Sequence, residues 1–273
     1  MNNIFKKIAA FSLAAAIGIS MVHVTALAKT AKKADLTGDG KADTVKIIKT
    51  RAYPGYDLYS HLKIQINGKT AFSKTTYYYS VTAKTIKLAN KKAFLVIYAP
   101  GDDNAADYNG IFAYRKGRLT RIVDFNKCIP GYDVSLDQIS TSKNTVNVSL
   151  SQDANGLGVC SYTTSFTWKN NKFVQAPAIT DFQIATTEGD RVKKGSTVTL
   201  STDATAKTLL AQDADTATLI KGAEAEFSDV TICEKTAYFS LIQDGTTYWI
   251  QIPKDYLSSS GNGTYFTSTY MAG

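Results

Sequence analysis

Asp35, Thr37, Asp39 and Asp43 lie within nine residues, Asp35-Leu36-Thr37-Gly38-Asp39-Gly40-Lys41-Ala42-Asp43, and their spacing suits one kind of chemistry. Hard cations such as calcium take oxygen ligands from a tightly curled backbone. Side-chain oxygens at the first, third and fifth positions converge on one ion, and Gly40 admits the sharp turn. The Lys41 carbonyl then fills the seventh position and Asp43 closes the shell at the ninth. An EF-hand would require glutamate three residues further on, where this chain has Lys46. Thr44-Val45-Lys46-Ile47-Ile48 also reads as a strand rather than a helix. The alternative is an Asp/Gly-rich surface turn. A second acidic stretch, Gly101 to Asp107, lacks a glycine after its acidic ligands and is expected to be such a turn.

Other chemistry is harder to assemble. His23 and His61 are the two histidines, so a multi-histidine zinc site is excluded once the leader described below is removed. A hydrolase could use two of the carboxylates Asp102, Asp103, Asp107, Asp133 and Asp137, with Asp102 and Asp107 the named pair, or Cys160 with His61, and no flanking pattern marks any of these. There is no Gly-x-Ser-x-Gly elbow and no phosphate loop. A non-catalytic protein is therefore expected, with a cell-wall or glycan hydrolase as the alternative. Cys128 and Cys160 form the plausible bridge in an oxidising compartment, with Cys233 left over, and three unpaired buried thiols are the competing reading. Tyr77-Tyr78-Tyr79 puts Tyr77 and Tyr79 on one face of a strand, where they form either a glycan platform or ordinary sheet packing.

The address is clearer than the activity. Lys6 and Lys7 precede an apolar run from Ile8 to Val24, and Ala26-Leu27-Ala28 supplies the small residues a signal peptidase needs. Residues 1–28 thus read as a cleavable signal peptide, with no transmembrane segment expected afterwards and a secreted or cell-surface location. Cleavage removes two lysines and no acidic residue, so the formal charge of +8 becomes +6. That excess fits retention at an anionic wall. No basic recognition helix or RNP-like motif suggests nucleic acid.

The elements that must position these residues are strands. Alternating Thr, Tyr, Val and Ile are frequent, and no stretch shows a helical apolar period. Hairpins are expected at Asn67-Gly68, Lys116-Gly117 and Asn170-Asn171, at intervals of about 50 residues. Gln175 to Lys194 reads as a boundary. The expected organisation is a β-rich domain over 29–178, a linker over 179–194, a small β-barrel over 195–258 and a tail over 259–273.

Two resemblances refine this. The Asp35–Asp43 nonapeptide and its following strand resemble the calcium loops of FG-GAP and VCBS-type repeats, although Thr37 stands where asparagine or aspartate is usual. That implies one structural calcium ion in a propeller-like domain. Lys221-Gly222, Asp244-Gly245-Thr246-Thr247-Tyr248-Trp249-Ile250 and Asp255-Tyr256-Leu257 resemble the closing half of bacterial SH3-like (SH3b) domains, with Tyr248 where glycine is usual. That implies contact with peptidoglycan or another surface glycan or protein. Burial is expected for Trp249, leaving Tyr248 as the exposed ligand-binding candidate. The fold class expected is all-β: a propeller-like or open β-meander or sandwich domain, then an SH3-like barrel. The function expected is that of a monomeric, calcium-stabilised binding protein.

Overall fold

A computed structural model describes residues 34–101, 108–211, 213–255, 257 and 263–269. Residues 1–28, expected as a signal peptide, and the Asp102 to Asp107 stretch lie outside the described residues. The protein is all-β; among the described residues there are nineteen strands in four antiparallel sheets and a short 3-10 turn at Phe125–Lys127. Among the described residues no helix is long and apolar enough to cross a membrane.

The first sheet is a meander of β1 (Val45–Arg51), β2 (Tyr59–Ile66) and β3 (Lys69–Tyr78). The second is a meander of β4 (Thr82–Lys87), β5 (Ala93–Tyr98), β6 (Gly110–Arg115) and β7 (Arg118–Asp124). The third contains β8 (Gly131–Ser142), β9 (Thr145–Ala154), β10 (Gly158–Lys169), β11 (Lys172–Gln175), β12 (Thr180–Ala185) and β13 (Arg191–Lys193). The fourth contains β14 (Thr197–Thr199), β15 (Ala204–Lys207), β16 (Thr216–Leu219), β17 (Glu224–Cys233), β18 (Thr236–Gln243) and β19 (Thr246–Gln251). Its order is β14-β17-β18-β19-β15-β16.

The three hairpins expected from turn chemistry are all present. Asn67-Gly68, Lys116-Gly117 and Asn170-Asn171 each place both turn residues at positive φ, as a two-residue turn between right-twisted strands requires.

Sheet two is buried on both faces, which is why Phe94 to Ile97 is an unbroken apolar run. Leu95, Ile97 and Phe112 pack with Leu62, Ile64 and Tyr78 of the first sheet. Phe94, Val96 and Ile111 face the other way, into a core shared with Val146, Val148 and Trp168 of the third sheet. Alternation along one strand thus ties three sheets together.

The third and fourth sheets share that same core. Phe182 stacks 6.1 Å from Tyr162 and 5.8 Å from Phe227 of β17. Phe227 meets Phe266 edge-on at 6.2 Å, and Phe266 meets Phe239 of β18 at 5.7 Å. Phe182 belongs to β12, so residues 179–194, expected as a linker, carry two strands of the third sheet. Part of the expected tail is likewise structured. Thr264 bridges to Gly156 of the third sheet, Phe266 to Leu200, and Thr269 to Thr186. The segment 263–269 therefore stitches the last two sheets, with Phe266 fully buried.

Phe266→Ala is expected to lower unfolding free energy by about 3–5 kcal/mol in urea titration, because it leaves a cavity where two sheets meet. A change under about 0.5 kcal/mol would show that the segment adds nothing.

Candidate calcium loop and adjoining surfaces

The loop precedes β1 and is held by its own carboxylates. Asp35 Oδ1 accepts from the backbone N–H groups of Gly38 at 2.6 Å and Asp39 at 3.1 Å, and Oδ2 accepts from Gly40 at 2.9 Å. Gly38 and Gly40 sit at φ of 81° and 83°, where a side chain would be strained, so the curl depends on both glycines. Partial desolvation raises the Asp35 pKa. The N–H donors of Gly40, Gly38 and Asp39 and the Thr37 hydroxyl outweigh it, and the carboxyl titrates below its usual 3.8.

Asp43 is buried. Its Oδ2 accepts from the N–H groups of Leu36 at 2.6 Å and Thr37 at 2.8 Å. Its Oδ1 accepts from the Thr37 hydroxyl at 3.2 Å and from Asn67 Nδ2 at 2.5 Å. The Thr37 hydroxyl also lies 3.4 Å from Asp35 Oδ1. Asp35, Thr37 and Asp43 are thus brought together, with one hydroxyl between two carboxylates. Asp39 instead turns toward the Lys41 N–H, 2.8 Å away. Among the described residues no three His, Cys, Asp or Glu side chains gather closely enough to hold a metal by themselves. A calcium ion here would have to draw on the Thr37 hydroxyl and the Lys41 carbonyl as well. The all-oxygen donor set suits that ion, and neither Asp35 nor Asp43 has a salt-bridge partner among the described residues.

Asn67 is the residue that sequence reading missed. It was legible only as the first residue of a hairpin turn, yet its amide has two long-range bonds. Nδ2 donates to Asp43, and Oδ1 accepts from the Thr44 N–H at 2.9 Å. The β2–β3 turn is therefore the anchor for the loop.

The remaining candidates are scattered. Tyr77 and Tyr79 are exposed and Tyr78 is buried between them, as strand alternation requires. Tyr53 and Tyr56, in the β1–β2 loop, are also exposed, and the antiparallel register puts all four at the end of the first sheet opposite Asn67. In β19 the two aromatic positions are exchanged relative to expectation. Tyr248 lies across from the buried Leu241 and packs against the core. Trp249 lies across from Ser240 and faces the other way, into an open groove of about 440 Å³ with Tyr238, Tyr265, Thr205 and Gln251. The register places Tyr248 on the face with Ile250, so the ring facing the groove is Trp249.

Cys128 and Cys160, expected as a bridged pair, are separate buried thiols, and Cys233 is also free. Burial pushes both buried thiols upward, with Asp124 beside Cys128 and Asp153 beside Cys160 adding to the effect. Each is thus held protonated and unreactive. His61 is on the outer side of the first sheet, its Nδ1 3.2 Å from the Thr75 hydroxyl and its Nε2 3.0 Å from that of Ser73. Cys160 and His61 therefore belong to different sheets and form no dyad.

No family model, curated protein or solved structure matches the chain.

Two outcomes follow from the loop geometry. In calcium-free buffer the Asp35 carboxyl should show an NMR titration midpoint below 3.8. Its folded pKa is depressed, so its contribution is present above the ordinary carboxylate pKa and lost as pH falls through the folded value. Asp35→Asn should remove that part of the acid-side loss of stability. Asn67→Ala should cost about 1–3 kcal/mol in urea unfolding, because a buried carboxylate oxygen loses a donor.

Proposed function

We propose that this is an exported, non-catalytic binding protein in which a calcium loop fixes the N-terminal sheet and the fourth sheet contacts cell-wall glycan or another surface partner. The observation that carries the reading is the convergence of Asp35 and Asp43 on the Thr37 hydroxyl with no cationic side chain paired to either carboxylate. Two like charges gathered this way favour a divalent cation over none. Asp35, Thr37, Asp39, the Lys41 carbonyl and Asp43 would hold it. The role is structural, since binding energy that exists only in the folded state adds to stability.

The binding half rests on the Trp249 groove. An indole flanked by Tyr238 and Tyr265, with Thr205, Thr216 and Gln251 around it, combines aromatic faces with hydroxyl and amide groups. Sugar rings present apolar C–H faces and hydroxyl edges, and this lining offers a complement to both.

Thermal unfolding of the exported chain in about 10 mM calcium and in chelator tests the first half. Extracellular modules bind calcium with Kd of about 10⁻⁴–10⁻³ M. Linkage then gives about 1.4–2.7 kcal/mol of stabilisation, and Tm should rise by about 3–11 °C. An unchanged Tm would sink the calcium reading. For the second half, sedimentation with purified peptidoglycan should retain the wild-type chain and lose Trp249→Ala, whereas Tyr77→Ala should behave as wild type. Equal retention of all three would overturn the groove assignment.

A further inference from the structure

The hairpin turns of sheets two and three meet at one end of the stack. The β4–β5 turn is joined to the β8–β9 turn by the bond from the Ala89 N–H to the Lys143 carbonyl, at 2.9 Å. It is joined to the β10–β11 turn by Lys92 Nζ, which donates to Asn171 Oδ1 at 3.0 Å. Antiparallel pairing brings the β6–β7 turn to the same end. Together with the Asp35–Gly38 wall, these turns enclose a groove of about 420 Å³ that includes Lys91, Lys92, Arg115 and Trp168.

The four turns at this end are one-sided in charge, while the loop wall beside them carries Asp35, Asp39 and the buried Asp43. Counting each turn with its flanking strand residues, the segments 87–93, 115–118, 142–145 and 169–172 contain nine Lys or Arg and no Asp or Glu. All nine are exposed, and none is in a salt bridge among the described residues. Two cross-strand pairs are cation on cation: Arg115 lies opposite Arg118, and Lys169 opposite Lys172. Like charges directly opposite destabilise a sheet, so folding gives no reason for either pair. The one acid lining the groove, Asp35, directs its carboxylate into its own loop.

We propose that this crown of turns docks a polyanionic glycan, a sugar chain carrying repeated carboxylate or phosphate groups, with the groove between Lys91, Lys92 and Arg115 as its centre. The partner follows from charge complementarity over several turns, which matches a repeating polyanion better than a single small anion. Single-stranded nucleic acid is disfavoured because its binding needs exposed rings on which bases stack. The exposed tyrosines lie at the opposite end of the first sheet, and Trp168 at this end is largely buried, with Lys92 Nζ 5.1 Å above its ring. The inference rests on the proposed function only in placing the chain outside the cytoplasm. It is independent of calcium and of the Trp249 groove.

The test is titration of the exported chain with an oligogalacturonate of about ten units, in chelator so that calcium plays no part. Neutral dextran, single-stranded DNA and anionic phosphatidylglycerol vesicles serve as comparison probes. Wild type should bind the oligogalacturonate, and binding should vanish as ionic strength rises from about 0.1 M to 1 M, where the Debye length shrinks from about 10 Å to about 3 Å. Arg115→Gln/Arg118→Gln and Lys169→Gln/Lys172→Gln should each weaken it at least tenfold, with Tm unchanged or raised. Lys254→Gln, whose carbonyl is held by Asn155 at the opposite end of the third sheet, should bind as wild type. The proposal is overturned by absence of binding, by equal weakening in the remote variant, by a fall in Tm in both crown variants, or by tighter binding of dextran, DNA or vesicles.

Discussion

Asp43 has 1% of its surface exposed, and the N-terminal end of the molecule is arranged around its charge. Burying a carboxylate costs several kcal/mol unless donors replace the lost water. Here two backbone N–H groups, one hydroxyl and one amide do so. Each donor fixes a different part of the chain. Leu36 and Thr37 curl the loop, and Asn67 binds it to the β2–β3 turn beside the start of β1. Held in that shape, the loop forms one wall of the groove beside the second sheet.

From that wall the two ends of the sheet stack diverge in chemistry. One end collects the hairpin turns, which are rich in lysine and arginine and free of acidic residues. The other end collects Tyr53, Tyr56, Tyr77 and Tyr79. Sheet two joins them as a layer buried on both faces. The shared core continues through Phe182, Phe227 and Phe266 into the fourth sheet, so the chain behaves as one packed body from sheet two onward.

Local patterns were readable in the sequence where local physics decides them. The Asn67-Gly68, Lys116-Gly117 and Asn170-Asn171 turns follow from which residues tolerate positive φ, and the Tyr77–Tyr79 alternation follows from the pleat. The calcium-like loop was legible as a spacing of oxygens. What could not be read depends on long-range register. Asn67 bonds to Asp43 across 24 positions, and nothing adjacent to it signals that partner. Tyr248 and Trp249 are neighbours in a strand, so a single step of register decides which faces the core. Residues 180–185 contain only Phe182 and Ile184 as large apolar side chains, too few to announce a strand, yet both are buried against the adjoining sheet. Phe266 was hidden for the same reason, with Tyr265 as its one large neighbour in a run of glycine, asparagine, serine and threonine over 261–269.

Equilibrium calcium binding to the chain lacking residues 1–28, followed by titration calorimetry after chelator removal, tests the central claim most directly. The account predicts one ion per chain with Kd of about 10⁻⁴–10⁻³ M, abolished in Asp35→Asn while the near-ultraviolet circular dichroism of the aromatic core is unchanged. Absence of binding in the wild-type chain, or binding that survives Asp35→Asn, would contradict it.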